Sequence, residues 1–332
     1  MYNFCTLFDS AYLTRGLAMY ESLTQYCENF NLYIFAFDDT CVEILKILAL
    51  PKVTVISLQE FEDKELLSVK SQRSKAEYCW TCTPSTIHFV FENYDVEMCT
   101  YLDADLYFYA SPKVLLEEIG SNSVMIVEHR FTLNYAWRNK YGKYCVQFML
   151  FKNNEQGRNV LKIWRNQCID WCFAYLEEGK YGDQKYLDDW HMKFTGIHDL
   201  QHLGGGIAPW NIQQYQLYRV NDKLFSREDQ TGKTFEAVFY HMHYLKYFSN
   251  GTLDMGPYCL PKYVLALVYY PYILHLETIK KKVASIDSSF DPHGSNALTF
   301  KDCRLLGRYI KHYLQRNVIN LSDIKEDLWQ NS

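Results

Sequence analysis

No run of about 20 apolar residues, the length that crosses a bilayer as a helix, occurs in the sequence, so it is read as having no membrane span. There is no long basic block and the net charge is −5, which argues against nucleic acid as a main partner. No G-x-G-x-x-G follows the first apolar run and no G-x-x-x-x-G-K-[ST] occurs anywhere. Dinucleotide oxidoreductases and P-loop enzymes thereby lose their main support. Internal repeats and low-complexity tracts are absent too. The opening "MYNFCTLFDSAY" lacks the basic and apolar regions of a signal peptide, which points to a cytoplasmic chain. The eleven cysteines agree: they follow no frame, and several (Cys5, Cys99, Cys145) lie in apolar runs where a reduced thiol is a small hydrophobe. "CWTC" (Cys79, Cys82) is a single pair, too few for a four-ligand zinc site.

Aromatic residues are abundant: 28 tyrosines, and 17% of the chain in all. They fill cores and half-exposed surfaces, or serve as platforms for sugars and bases. With 332 residues the chain can form one large domain or two modest ones around a real core.

The first half alternates strands and helices. "YNFCTLF" reads as a strand, followed by a helix over 12–26. "NLYIFAF" and "KVTVISL" are the next strands, separated by a helix that ends before Pro51. Thr83-Pro84 reads as N-cap and first position of a helix reaching Asn93. "EMCTYL", "SVMIVEH" and "YCVQFMLFK" are further strands, the last so apolar that it belongs at the centre of the sheet. A long helix is expected over 157–176. The alternation implies an α/β fold: a Rossmann-like, mostly parallel sheet flanked by helices, with ligands beyond the carboxyl ends of its strands. From Pro257 the pattern is helical, punctuated by Pro271 and Pro292. This gives a division into 1–250, a ligand-binding domain, and 251–332, a C-terminal helical appendage.

"CTYLDADLYFY" places Asp103 and Asp105 one residue apart at the end of a buried strand. In an extended chain such residues point the same way, and two converging carboxylates need a cation or a shared proton. Hard oxygen ligands at a sheet edge suit Mn²⁺ or Mg²⁺, and so a diphosphate. "FYHMHYL" repeats the spacing with His241 and His243, which could complete the coordination of Mn²⁺. "HLGGGIAPWN" has three glycines, Gly204 to Gly206, that would let backbone approach a phosphate or sugar, with Gly205 at the centre. "GDQKYLDDW" sets Asp183 and Gln184 at an expected helix start, as a cap or over a reacting sugar carbon. Each of these motifs also has a plain structural reading: an ion pair, a loop or a cap.

In their order along the chain, "FCTLFDSAYLTRGLAMYESL", "YCWTCTPSTIHFVFE", "YLDAD", "YCVQFMLFK", "GDQKYL", "HLGGGIAPWN" and "FYHMH" resemble a nucleotide-diphospho-sugar transferase of the A-type glycosyltransferase fold. The chain is most similar to the retaining family of glycogenin and the bacterial lipopolysaccharide galactosyltransferases, over roughly its first 245 residues. The resemblance implies a hexosyltransferase using Mn²⁺ or Mg²⁺, a uridine diphosphate sugar as the first candidate donor, and a glycan or lipid-linked acceptor. It assigns Thr6, Asp9 and Tyr12 to the nucleotide, Arg73 and Lys75 to ribose or phosphate, and Asp103, Ala104, Asp105 and Gly205 to the diphosphate sugar. The metal would take Asp103, Asp105 and His241 or His243, and Asp183 and Gln184 would act at the sugar. Where the family carries Asn-Ser-Gly on its sixth strand, this chain has Cys145-Val146-Gln147.

Two other readings stay open: a phosphohydrolase with Asp103 as nucleophile, and a non-catalytic glycan-binding protein. The basic amphipathic stretch "RLLGRYIKHYLQR", with "YVLALVYYPYILHLETIKKK" before it, could rest on the inner membrane face or pack on the rest of the chain.

Overall fold

The structure, a computed structural model, describes residues 1–297 and 303–324, and for 303–305 the backbone alone. A seven-stranded sheet forms its centre. β1 (Tyr2–Phe8) pairs in parallel with β2 (Phe30–Ala36) and with β4 (Met98–Leu102), and β2 pairs in parallel with β3 (Val53–Ser57). A short β5 (Leu106–Phe108) follows β4 outside this sheet. The order continues through β7 (Tyr144–Lys152) to β6 (Val124–Glu128) and β8 (Ile197–Asp199), giving β3-β2-β1-β4-β7-β6-β8. β7 is central, as its apolar run implies, but it runs antiparallel to β4 and β6. An all-apolar strand reports burial on both faces; it carries no information about direction.

Alternate residues of the strands feed two cores on opposite faces of the sheet. Phe4, Leu32 and Ile34 belong to one; Cys5, Tyr33 and Phe35 belong to the other. Each such large side chain contributes about 1.5–3 kcal/mol by leaving water. The helix Leu13–Tyr26 covers the first face.

On the second face lies the helix Lys75–Asn93, and here the sequence expectation is corrected. Thr83-Pro84 does not open this helix. Ser74 and Glu77 form a capping box at its true start, leaving Pro84 inside. Proline cannot donate to the Trp80 carbonyl one turn back. The Thr83 hydroxyl caps the neighbouring Cys79 carbonyl at 3.3 Å, so the interruption falls where this helix meets the cleft. The helix expected over 157–176 runs instead from Glu155 to Asp170, capped by Asn154.

Beyond the main sheet, β9 (Tyr215–Val220), β10 (Lys223–Glu228) and β11 (Thr234–Glu236) form a small antiparallel sheet that the sequence pattern did not announce. β12 (Phe239–His241) then pairs antiparallel with β5. The helical run through Pro271 is continuous: a wide π turn, Leu265–Tyr269, leads into the helix Tyr270–Ala284. Val268, Tyr272, Ile273 and Leu276 are fully buried in the core that Phe4 and Leu17 share. The expected boundary near 251 therefore does not coincide with a break in packing. Among the described residues, no helix is long and apolar enough to cross a membrane.

Candidate active site

β1 and β4 are parallel, so the residues following them, Asp9 and Asp103, emerge on one edge of the sheet. There a cleft of about 970 Å³ opens. Asp103 and Asp105 converge through a turn rather than through strand alternation: the Leu106 N–H donates to the Asp103 carbonyl at 3.2 Å, folding the chain back into β5. Pairing of β12 with β5 sets His241 opposite Leu106, and the Met242 N–H donates to the Asp105 carbonyl at 2.9 Å. The result is a cluster in which one ligand atom each from Asp103, Asp105 and His241 lies within 4.8 Å of the others. His241 Nε2 is 3.1 Å from Asp105 Oδ1 and 3.6 Å from Asp103 Oδ2.

Electrostatics separate the two carboxylates. Burial alone would push Asp105 up. The charge and hydrogen bond of His241, aided by His243 and the Tyr12 hydroxyl, reverse this and hold it well below the usual carboxylate range. Asp103 moves the other way: burial raises it, His241 pulls it back, and the neighbouring Asp105 raises it further. Burial would lower His241, but Asp105 overcomes it and holds the imidazole charged. His243 is lowered to about 4, by burial and then by the His241 charge. His243 lies in the same cleft, edge-on to Trp210 with ring centroids 5.4 Å apart, but the ligating cluster contains His241 and not His243.

The loop after β1 is fixed before any ligand arrives. Asp9 Oδ1 accepts from the Tyr12 N–H at 3.0 Å, and Asp38 accepts from the Ser10 N–H and hydroxyl at 3.0 and 2.7 Å. The Tyr12 hydroxyl donates to Asp105 Oδ2 at 2.9 Å. Lys75 Nζ lies 2.5 Å from Asp9 Oδ2, and all four of Asp9, Tyr12, Lys75 and Ala104 line the cleft.

Asp183 and Gln184 line the cleft as well. Asp183 does not cap a helix. It is buried, and burial with the Asp103 charge raises it to about 8. Gln184 takes the cap place of a short 3₁₀ turn, Lys185–Asp189, without a side-chain cap bond; its Nε2 donates to the Tyr141 carbonyl at 3.0 Å. Trp80, Tyr181, Tyr141 and Trp137 form a row of touching rings along this wall.

Three residues assigned from the sequence lie elsewhere. Arg73 donates to the Ile169 carbonyl at 3.1 Å and stacks on Phe173, away from the cleft. Thr6 is buried within β1, outside the cleft lining. Gly205 turns inward: a Cβ there would meet Leu200 at 2.6 Å and Leu115 at 3.0 Å, so its smallness serves packing. Conversely, the sequence reading gave no role to Arg138, Lys246 or Gln147. Arg138 and Lys246 line the cleft. Gln147 had a readable signal, being the lone uncharged amide in an otherwise apolar buried strand.

No family model matches the chain. The uncharacterized protein YfnD of Bacillus subtilis (strain 168) is 28% identical over 295 residues, which cover 87% of this chain and 92% of that protein. YfnF of the same organism is 28% identical over 246 residues, 72% of this chain and 80% of that one. Among solved structures, the galactosyltransferase LgtC, in complex with donor and acceptor sugar analogs, matches with a TM-score of 0.50 at 12% identity, covering 83% of this chain and 95% of that one. The chain has the A-type glycosyltransferase fold. In the A-type glycosyltransferase fold of this chain, the Asp-Asp-His cluster and the cleft share the carboxyl edge of the sheet.

Proposed function

We propose that this chain is a metal-dependent glycosyltransferase that moves a hexose from a nucleoside diphosphate sugar, uridine diphosphate being the first candidate, to a glycan or lipid-linked acceptor with retention. The observation that carries this reading is one cleft holding Asp103, Asp105 and His241 together with Asp183 and Gln184. One buried carboxylate, Asp105, one half-buried carboxylate, Asp103, and one imidazole form a donor set that suits Mn²⁺, or Mg²⁺. Such a cation, when bound, supplies positive charge to the leaving diphosphate.

The remaining work falls to the chain's own groups. Asp9, Tyr12 and Lys75 form a wall against which the nucleotide can lie, and Arg138 and Lys246 bring cationic charge to the cleft for the diphosphate. Asp183, kept protonated near neutrality, can donate as well as accept a hydrogen bond to a sugar hydroxyl. Gln184 offers a neutral carboxamide near the anomeric carbon, and the ring row from Trp80 to Tyr141 keeps water from that side. On the helix Cys303–Leu314, exposed Ile310, Tyr313 and Leu314 beside Arg308 and Lys311 support contact with an anionic membrane that presents a lipid-linked acceptor.

A panel of nucleoside diphosphate hexoses with Mn²⁺ tests the reading. The expected result is release of the nucleoside diphosphate, stopped by EDTA and by Asp105→Asn. Undiminished release in EDTA, inorganic phosphate as the product, or no turnover of any donor would overturn it.

A further inference from the structure

An imidazole ligates a cation only through a nitrogen that carries no proton, so the use of His241 depends on what its other nitrogen touches. Nδ1 lies 2.6 Å from Oε1 of Gln147. A carboxamide oxygen only accepts, so Nδ1 holds a hydrogen and donates it. That leaves Nε2 as the ligating atom, once the cation takes the place of its proton, and Nε2 is the nitrogen facing Asp105 and Asp103.

Gln147 is fully buried in β7, and its main-chain carbonyl accepts from the Asp103 N–H at 3.0 Å. One residue therefore anchors the backbone of the first carboxylate and the ring of the histidine. Its own Nε2 is buried without a partner. A polar side chain kept in a strand core with one end unsatisfied is costly, which argues that the other end has a task. The third glycine of the triple-glycine run makes room for it. A Cβ on Gly206 would lie 3.0 Å from Gln147 Nε2, 2.9 Å from Val127 Cγ1 and 2.9 Å from Arg130 Nη2, and the backbone there has φ +94.

We propose that Gln147 is the positioning residue that presents His241 Nε2 to the cation, and that Gly206 is glycine so that the Gln147 amide can sit beneath the histidine. The proposal rests on the metal reading given above but on no particular sugar chemistry. Metal-ligating histidines are commonly held in this way by an acceptor behind the ring, and loss of that acceptor weakens metal binding about 10- to 100-fold.

The experiment is Mn²⁺ binding to the full chain, read by electron paramagnetic resonance of free Mn²⁺, with and without uridine diphosphate. The melting temperature of each metal-free variant is measured alongside. Gln147→Met, which removes the acceptor, is expected to lose about 10- to 100-fold in Mn²⁺ affinity. Gln147→Glu restores an acceptor for Nδ1–H and should bind Mn²⁺ at least as tightly as the wild-type chain. A purely structural role would lower the melting temperature of both variants and leave their Mn²⁺ affinities alike. Wild-type affinity in Gln147→Met, or equal weakness in the Met and Glu variants, would overturn the assignment. Should Gln147→Met fail to fold, Gln147→Asn, too short to reach Nδ1, carries the same expectation. A wild-type chain that takes up no Mn²⁺ overturns the metal reading and this assignment together. A chain that binds Mn²⁺ but turns over no donor sinks only the proposed function.

Discussion

The Tyr12 hydroxyl and Asp105 Oδ2 are 2.9 Å apart, joining the loop after the first strand to the carboxylate cluster after the fourth. Tyr12 is also held from behind, with the Arg15 guanidinium 4.4 Å from its ring centre. A hydrogen bond to a charged group contributes about 1.5–3 kcal/mol. Tyr12→Phe should therefore weaken Mn²⁺ binding or kcat/KM by about 10- to 100-fold while the chain stays folded. Wild-type values for both would mean that Asp105 needs no help from the loop.

Asp183 sets a pH dependence. Its folded value, about 8, lies above the ordinary 3.8 because burial and Asp103 disfavour the carboxylate. The fold thus holds a proton that the unfolded chain releases. The resulting stability is complete below the ordinary value and is lost as pH rises towards about 8. Asp183→Asn cannot ionise, so in metal-free chain its melting temperature should gain on the wild type steadily from acid to alkaline pH. A gap that stays constant, or widens towards acid, would contradict the assignment.

The stereochemical course is read from the product. With Gln184 at the anomeric carbon and Asp183 on sugar hydroxyls, the transferred hexose should keep its donor configuration in NMR. Asp183→Ala should lower kcat by orders of magnitude with little change in nucleotide binding. An inverted product would make Asp183 a base and end the retaining assignment.

For the membrane contact, the chain should co-sediment with anionic vesicles at low salt and be released as salt screens the cations. Replacing Ile310, Tyr313 and Leu314 with serine should weaken the low-salt binding. Absence of binding at low salt would end the idea.

What could be read in advance was whatever depends on local pattern. Six strands of the first half, the Asp103–Asp105 pair and the two late histidines announce themselves because their spacing is short. Strand direction, by contrast, leaves no local mark, and β7 turned out antiparallel to both neighbours. The helix start was misplaced because Pro84 at a first turn is a familiar sign, whereas the capping box of Ser74 and Glu77 was the stronger one. Arg73 and Gly205 sit near the right motifs in sequence, but Arg73 stacks on Phe173 and Gly205 packs against Leu200, which local pattern does not report. The pairing of Gln147 with His241 spans 94 positions and belongs to the fold alone.

Arg15 is buried in the first helix, yet its guanidinium donates to the carbonyls of Leu245, at 2.8 Å, and His293, at 2.9 Å. The helix Tyr270–Ala284 packs into the same core. At roughly 5–20 residues per second, the ribosome makes those partners on the order of tens of seconds after Arg15. During that interval the nascent first helix carries an apolar face and a cation with nothing to close over them. The first strand of the sheet is thus made well before the helix that seals its core, so a premature stop anywhere before Tyr270 leaves an unsealed apolar face for chaperones and proteases to find.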